Sequence, residues 1–528
     1  MRSSAYGFNG GFSAPHRAAA LAGRDVLAAG GSAVEAMVAA AATIAVAYPH
    51  MNGIGGDGFW IIHRPGQGPV AVAGCGRAAG LASVDWYAQQ GITDALPARG
   101  PLAALTVPGT IAGWAEALKL CPKGNRMPLA DLLAPAIGLA RDGVAVTENQ
   151  ARTTREKLDG LRDVPGFADT FLHDGAVPKA GHRLVQAALG QTLVQLGKAG
   201  LDDYYRGDLA QTHAALLESA GSPLRIDDFT RFAAEVAAPL TTQTSAGRLF
   251  NSNPPTQGVS SLMILALFDR LGVTKADGFD HLHGLIEATK LAFIQRNAEL
   301  GDPDHMAGPA QDWLEPAKLD ALVGQIDTAK ARPWPEVAKP GDTIWMGAAD
   351  KDGCVVSFIQ SVFWEFGSGL VCPDTGVFFQ NRGAGFSLAA GPNQLRPHAR
   401  PFHTLNPALA HMNDGRVLAY GTMGGEGQPQ TQAAIFSRYA MFGQDLQQAV
   451  TAPRWLLGKT WGDATTSLKL EDRFDPALVE GLRAAGHEVE IIPDYSDLAG
   501  HAGGVAVWPD GQIEVAADPR SDGAALGF

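Results

Sequence analysis

Thr343 follows Pro340-Gly341-Asp342 and opens an apolar run, Ile344-Trp345-Met346. A threonine hydroxyl is a poor nucleophile unless a base sits beside it. Cutting the chain just before Thr343 would free an α-amine, of ordinary pKa ~7.7–8.0, able to take the hydroxyl proton. Gly341 would let the preceding peptide bend toward that hydroxyl. Turn chemistry at the start of a strand accounts for the same residues. A second candidate is Gly424-Gly425, following Tyr420-Gly421-Thr422-Met423. Adjacent glycines after a strand can aim two backbone N–H groups at one point, as an oxyanion hole requires. A strand-to-helix turn leading into residues 431–442 is the plain structural alternative.

Two other patterns carry no chemistry. Gly53, Gly55 and Gly58 form G-x-G-x-x-G, which binds dinucleotides only between a preceding strand and a following helix. Here a helical pattern precedes and a strand follows, so a glycine-rich turn is the reading. His281-x-His283 lies on a helix, where residues two apart point about 200° apart and cannot share an ion. No metal and no cofactor are expected.

These residues must be held by a large framework. Residues 16–29 read as a helix stopped by Gly30-Gly31, and Ser32 caps a second, alanine-rich helix running to about residue 47. A short strand follows at 59–62. Residues 131–141 and 279–300 have helical periodicity. Six prolines between 301 and 340 loosen the pattern, with a short helix near 316–326. Beyond residue 340 strands take over. A hairpin pairs 343–349 with 354–361 around Asp350-Lys351-Asp352-Gly353. Further strands are expected at 377–381, 408–412, 416–421, 489–492, 504–508 and 512–516. Helices thus dominate the first two thirds and strands the last, which implies sheets covered by helices and completed by the C-terminal part.

Composition narrows the class. With 528 residues, one large layered domain and two or three smaller ones are both compatible. Hydrophobic residues make up 46%, enough for a large core. The net charge is −13 with no Lys/Arg run, which excludes nucleic acid and anionic membrane surfaces as partners. The four cysteines have neither metal-like spacing nor the density of a disulfide framework. Residues 1–11 do not resemble a signal peptide, and the apolar stretch 36–48 is too short to span a bilayer, so a cytoplasmic protein is expected. Self-association of identical copies is compatible with the sequence. Glycine stands out, at 64 residues, and implies many close backbone approaches.

Taken together, the motifs resemble the γ-glutamyltransferase family of N-terminal-nucleophile hydrolases. The resemblance spans nearly the whole chain: Gly30-Gly31-Ser32-Ala33-Val34-Glu35-Ala36, residues 53–59, Val107-Pro108-Gly109-Thr110, Gly301-Asp302-Pro303-Asp304, Gly367-Ser368-Gly369, Gly424-Gly425, Ala452-Pro453-Arg454 and Asp518-Pro519-Arg520. It implies an α/β fold, a four-layer αββα sandwich with two stacked antiparallel sheets. It also implies a precursor that cuts itself between Asp342 and Thr343 into 1–342 and 343–528, which stay together. Thr343 would be nucleophile and base, Ser361 its supporting hydroxyl, and Gly424 and Gly425 the oxyanion pair.

The substrate positions depart from the family pattern. Phe363, Arg382 and Gly385 stand where γ-glutamyl enzymes hold the glutamyl amine. The carboxylate-clamping arginine falls at Gly76 with Arg77 beside it, and the serine pair appears as His403-Thr404. A site that gains Arg382 suits a carboxylate-bearing amide without an ammonium group. The runs Gly341-Asp342-Thr343-Ile344-Trp345-Met346-Gly347, Gln380-Asn381-Arg382-Gly383 and residues 423–430 are similar to the oxamate amidohydrolase branch, which implies hydrolysis of oxamate to oxalate and ammonia. An altered γ-glutamyltransferase or glutathione hydrolase, and a non-catalytic binding protein of the same fold, are the alternatives.

Overall fold

The computed structural model describes residues 3–121, 124, 126–334, 342–458 and 466–528, with only the backbone of Asp342. Fourteen strands build two antiparallel sheets of seven. In chain order they are β1 (Ala5–Gly7), β2 (Gly10–Ala14), β3 (Asp57–His63), β4 (Val70–Gly74), β5 (Glu235–Ala237), β6 (Leu240–Gln243), β7 (Gly247–Asn251), β8 (Asp342–Asp350), β9 (Val355–Phe363), β10 (Ala408–Met412), β11 (Val417–Thr422), β12 (Ala502–Val507), β13 (Ile513–Ala517) and β14 (Ala524–Gly527). One sheet has the order β1-β13-β12-β11-β10-β7-β6; the other has β14-β2-β8-β9-β3-β4-β5.

Side chains alternate between two kinds of core, as the pleat demands. Phe59, Ile61, Trp345, Ile359, Leu409, Ala419 and Val505 fill the space between the sheets. Their neighbours Trp60, Ile62, Met346 and Phe358 face the helices on one outer side. Leu249, Ala410, Leu418 and Tyr420 face the helices on the other. The result is the expected αββα sandwich.

The central helix of the first outer layer, α2 (Ala33–Ala47), is buried along its whole length, which explains why its sequence has no polar face. Its start is a reciprocal cap. Ser32 Oγ accepts from Glu35 N–H at 3.3 Å, and Glu35 Oε2 accepts from Ser32 N–H at 2.8 Å. Asp350 fastens the β8–β9 hairpin to this helix: Oδ1 accepts from Asp352 and Cys354 N–H, both at 3.0 Å, and Oδ2 from Ala33 N–H at 2.9 Å. On the opposite face α3 (Gly258–Arg270), α4 (Phe279–Glu299) and α5 (Gln428–Phe436) cover the other sheet.

Two expectations need correction. Strands are not concentrated in the last third, because β1 to β7 all precede residue 252. Each sheet interleaves strands from both sides of residue 342, so 1–342 and 343–528 are parts of one fold. Residues 377–381 are not a strand. Val371 and Phe378 form a single bridge, Gln380 N–H donates to Gly55 O (2.9 Å) and Asn381 N–H to Val362 O (3.1 Å). The segment lies extended and bonds to residues 368–372 through Cys372 N–H to Val377 O (2.8 Å), Phe379 N–H to Leu370 O (3.0 Å) and Ser368 N–H to Phe379 O (2.8 Å), but its partners then change to a glycine loop and a strand end, so no continuous ladder forms.

All four cysteines are unpaired and buried. His281 meets Ser437 Oγ at 2.8 Å while His283 meets His487 at 2.9 Å, so the two histidines do diverge. No described helix is long and apolar enough to cross a membrane.

Trp345 is the tightest wedge between the sheets. A Cβ on Gly421 would lie 2.2 Å from its ring, one on Gly503 2.6 Å, and one on Gly347 2.7 Å. Gly421→Ala is therefore expected to lose about 1–3 kcal/mol of stability through overpacking. Gly68→Ala, which meets nothing within 4 Å, should stay within about 0.5 kcal/mol of the parent. Urea unfolding of both variants measures the difference.

Candidate active site

The site assembles at one end of the inter-sheet layer. Adjacent strands β3, β9 and β8 bring Asp57, Ser361 and Thr343 together. Asp57 is in register with Ser361. The β8–β9 register slips between the pairs Asp342–Phe363 and Ile344–Gln360, so Thr343 sits at a bulge. Thr343 is fully buried, and its Oγ1 accepts from Gln428 Nε2 at 3.4 Å. Gln428 opens α5, beyond the Gly424-Gly425 turn, so the contact joins the nucleophile candidate to the oxyanion candidates.

Ser361 Oγ accepts from Phe363 N–H at 2.8 Å. That bond closes a sharp turn in which Phe363 has φ +82°, a costly conformation for a bulky residue, about 1–3 kcal/mol. The strain has a visible result. The Phe363 ring lies 3.9 Å from the Arg382 guanidinium and supports it from one face.

Arg382 is buried. Nη1 donates to Thr404 Oγ1 at 3.4 Å, while Nε and Nη2 have no hydrogen-bond partner among the described residues. Burial pulls its pKa down to about 9, against the attraction of Asp57, and it remains a cation at neutral pH. A buried cation with unused donors is costly unless an anion completes it.

Asp57 is the anchor of this end. Its Oδ1 accepts from Gly76 N–H (2.9 Å), Gly109 N–H (3.0 Å) and Gln380 Nε2 (3.0 Å), and its Oδ2 lies 2.9 Å from His403 Nε2. Burial pushes its carboxyl up to about 7, opposed by Arg382 and by these donors. His403 is fully buried, edge-on to Phe59 at 4.6 Å, with Nδ1 unpartnered. Burial and then Arg382 hold its pKa well below the usual value, so the isolated ring is neutral. Asp57, Cys75 and His403 are close enough to share a metal, but the Arg382 charge and the three donors on Oδ1 fit a hydrogen-bonded dyad instead.

Gly424 and Gly425 end β11 with φ +114° and +52°, a sequence of angles that glycine alone adopts freely. A buried bracket holds them. Gln257 Nε2 donates to Gly425 O (2.8 Å) and Thr404 O (2.9 Å), Arg296 Nη1 donates to Gln257 Oε1 (2.8 Å), and Arg296 Nη2 pairs with Glu426. A cavity of about 410 Å³, lined by Arg296, Asn297, Asn393, Phe402 and Glu426 among others, opens beside this bracket.

The structure thus gathers Thr343, Ser361, Phe363, Arg382, His403, Thr404, Gly424 and Gly425. It does not add Arg77, whose guanidinium is engaged by Glu235 (2.7 Å) and the His398 carbonyl (3.1 Å); its neighbour Gly76 reaches the site through its N–H. Gly341 lies outside the described residues, as does the side chain of Asp342. Sequence reasoning missed Asp57, Gln257, Arg296, Gln380 and Gln428. Asp57 had one signal, an acid inside a glycine run just before a strand.

This architecture and end-of-sandwich site define an N-terminal-nucleophile hydrolase. The γ-glutamyltranspeptidase family profile matches residues 19–528, and the chain belongs to that family. It is 50% identical to an oxamate amidohydrolase proenzyme of Klebsiella pneumoniae, covering 100% of both chains. It is 38% identical to a glutathione hydrolase-like proenzyme of Bacillus subtilis over 97% of each. The crystal structure of a cephalosporin acylase from Bacillus halodurans superposes with a TM-score of 0.92 at 30% identity, covering 100% of this chain and 97% of that one.

The bracket generates a test. Arg296→Met removes one member of a buried ion pair and should destabilise the protein by about 3–5 kcal/mol. Urea unfolding reads this, and a loss below 1 kcal/mol would show that the bracket is not held by that pair.

Proposed function

We propose that the protein is a self-processing amidohydrolase that converts oxamate to oxalate and ammonia, with Thr343 as nucleophile. The observation that carries the substrate reading is Arg382: buried, stacked on Phe363, with Nε and Nη2 unpartnered. A carboxylate is the ligand that satisfies such a fork of donors. The acid beside it, Asp57, already has both oxygens engaged by Gly76, Gly109, Gln380 and His403, which leaves it poorly placed to hold the ammonium of a glutamyl group. The 50% identity to an oxamate amidohydrolase proenzyme supports the same substrate.

In this mechanism the Thr343 hydroxyl first attacks the Asp342 carbonyl. The peptide nitrogen leaves as the Thr343 amine, and water releases the ester, giving 1–342 and 343–528. The interleaved strands keep the two parts together. In the mature enzyme the α-amine takes the hydroxyl proton as Oγ1 attacks the amide carbon of oxamate. Gly424 and Gly425 N–H groups stabilise the tetrahedral oxyanion. Collapse expels ammonia, which receives the proton from the α-ammonium. Water, deprotonated by the same amine, resolves the oxalyl ester. Arg382, Thr404 and His403 hold the carboxylate beside the reacting carbon, and the cavity at Phe402 and Glu426 offers the approach.

The purified protein should run as two bands on a denaturing gel, and Thr343→Ala as one full-length band. A wild-type chain that stays intact after long incubation would sink the nucleophile assignment. Ammonia release from oxamate should exceed γ-glutamyl-anilide turnover, with the reverse favouring a γ-glutamyl enzyme. Arg382→Ala should raise KM for oxamate by about 30- to 5000-fold, the loss expected for an unpaired buried charge contact, ~2–5 kcal/mol; an unchanged KM would refute the carboxylate role.

A further inference from the structure

Asp57 puts a second acid next to the arginine that receives the substrate. In the empty pocket Arg382 and Asp57 balance one another across a gap: they attract, yet no ion pair within 4 Å joins them among the described residues. A substrate carboxylate laid on Arg382 would bring two negative charges to one positive charge with little water to screen them. Asp57 cannot move aside, because two backbone N–H groups, Gln380 and His403 fix both its oxygens. A proton is the remaining way to remove the repulsion.

The place for that proton is defined by the dyad. Without it, ionised Asp57 takes the hydrogen of His403 Nε2, and Nδ1 is left as a lone pair with no hydrogen to donate. With it, either Asp57 carries the hydrogen and donates to Nε2, or the ring is doubly protonated. In both forms Nδ1 bears a hydrogen. Nδ1 is a fully buried atom without a partner among the described residues, as are Nε and Nη2 of Arg382. Arg382 and His403 are joined through Thr404, which follows His403 in the chain and accepts from Nη1.

We propose that Asp57 is a specificity-determining positioning residue: with His403 it takes up one proton as the substrate carboxylate settles on Arg382, making His403 Nδ1–H a second donor to that carboxylate. This rests on the reading of Arg382 as the carboxylate-binding residue. The other titratable groups near Asp57 are Cys75 and Tyr205, both pushed upward by burial and therefore neutral throughout, and, in the mature enzyme, the Thr343 α-amine, whose ordinary pKa of ~7.7–8.0 lets it take up a proton of its own beside a bound anion. Arg382 stays cationic. Burial and Arg382 disfavour a charged His403, so the proton resides on Asp57. The sign follows. Burial raises the Asp57 carboxyl to about 7 in the free site, and a bound anion raises it further. Affinity is then constant below pH 7 and falls above it, by up to about tenfold per pH unit for one linked proton.

Calorimetry of the mature enzyme with oxalate at pH 8, in two buffers of different ionisation heat, counts the protons taken up. Asp57 should account for close to one, beside whatever share the Thr343 α-amine takes. In Asp57→Asn the amide oxygen can keep the three donors on Oδ1, while Nδ2–H donates to His403 Nε2 and holds the hydrogen on Nδ1. That variant should take up close to one proton fewer than the wild type, because the α-amine contributes to both, and its KM for oxamate should rise less steeply between pH 7 and 9 than the wild-type KM. Oxalate binding to the wild type without proton uptake overturns the proposal. So does an Asp57→Asn variant whose KM keeps the wild-type pH dependence, or is raised equally at every pH, the mark of a merely structural role. Should Asp57→Asn fail to fold or to cleave, a wild-type uptake at pH 8 above the ~0.5–0.7 proton that an α-amine of pKa ~7.7–8.0 can still accept there decides for the proposal, and a smaller uptake decides against it. Absence of both oxamate turnover and oxalate binding in the wild type is a different result, and it overturns the carboxylate reading of Arg382 itself.

Discussion

The Asp57 carboxylate joins the two sheets at the end where the reacting groups collect. It begins β3 in one sheet, and it is held by His403, which leads into β10 of the other. Its remaining acceptors take up the N–H groups of two loops, at Gly76 and Gly109, and the side chain of Gln380. Five chain segments therefore depend on one buried charge. A carboxylate is tolerated there because it is surrounded by donors and faces a guanidinium. The same arrangement leaves Arg382 unsatisfied: Asp57 is near enough to attract it and too firmly held to pair with it. The packing of this corner and the unmet donors of Arg382 thus come from the same few groups.

Close backbone approach is what makes this corner possible, and it explains most of the glycine around it. A Cβ on Gly55 would lie 1.9 Å from Phe378 O, one on Gly56 2.0 Å from Ser361 O, and one on Gly76 1.8 Å from Val107 O. The run that imitates a dinucleotide motif is instead a loop pressed against the end of β9 and the 378–380 segment. At Gly424 and Gly425 the reason differs, since there the backbone angles themselves demand glycine.

The elements that obey local rules were legible in the sequence: the capped helix after Ser32, the Asp350 hairpin and the strands on either side of Gly415 and Gly511. The αββα architecture and the family were legible through the motifs. Residues 377–381 misled because an apolar extended run looks alike whether it pairs with a strand or with a loop. The early strands β1, β2 and β4 to β7 went unread because most are short; β1, β2 and β5 also pair with strands more than a hundred residues away, although β4 pairs with β3 and β6 with β7 across local turns. The site divides in the same way. Thr343, Ser361 and the glycine pair sit in recognisable runs. The role of Asp57 depends on register with Ser361 and on a histidine 346 positions later, and no local pattern encodes that. Arg77 was chosen by proximity to a motif position, but its charge is engaged by Glu235 on the partly exposed side of the chain.

The bulge at Thr343 and the turn at Phe363 are two halves of one arrangement. Strand β8 slips register just where β9 leaves the sheet, so the last regular pair is Ile344–Gln360 and the next contact is Asp342–Phe363. The slip places Thr343 opposite Ser361 and Val362. The Ser361 hydroxyl, by accepting from Phe363 N–H, holds the left-handed turn that aims the Phe363 ring under Arg382. The Ser361 hydroxyl thereby couples the strand end opposite Thr343 to the placement of the buried Arg382 guanidinium, so the nucleophile candidate and the buried cation are set by one turn rather than by two independent elements.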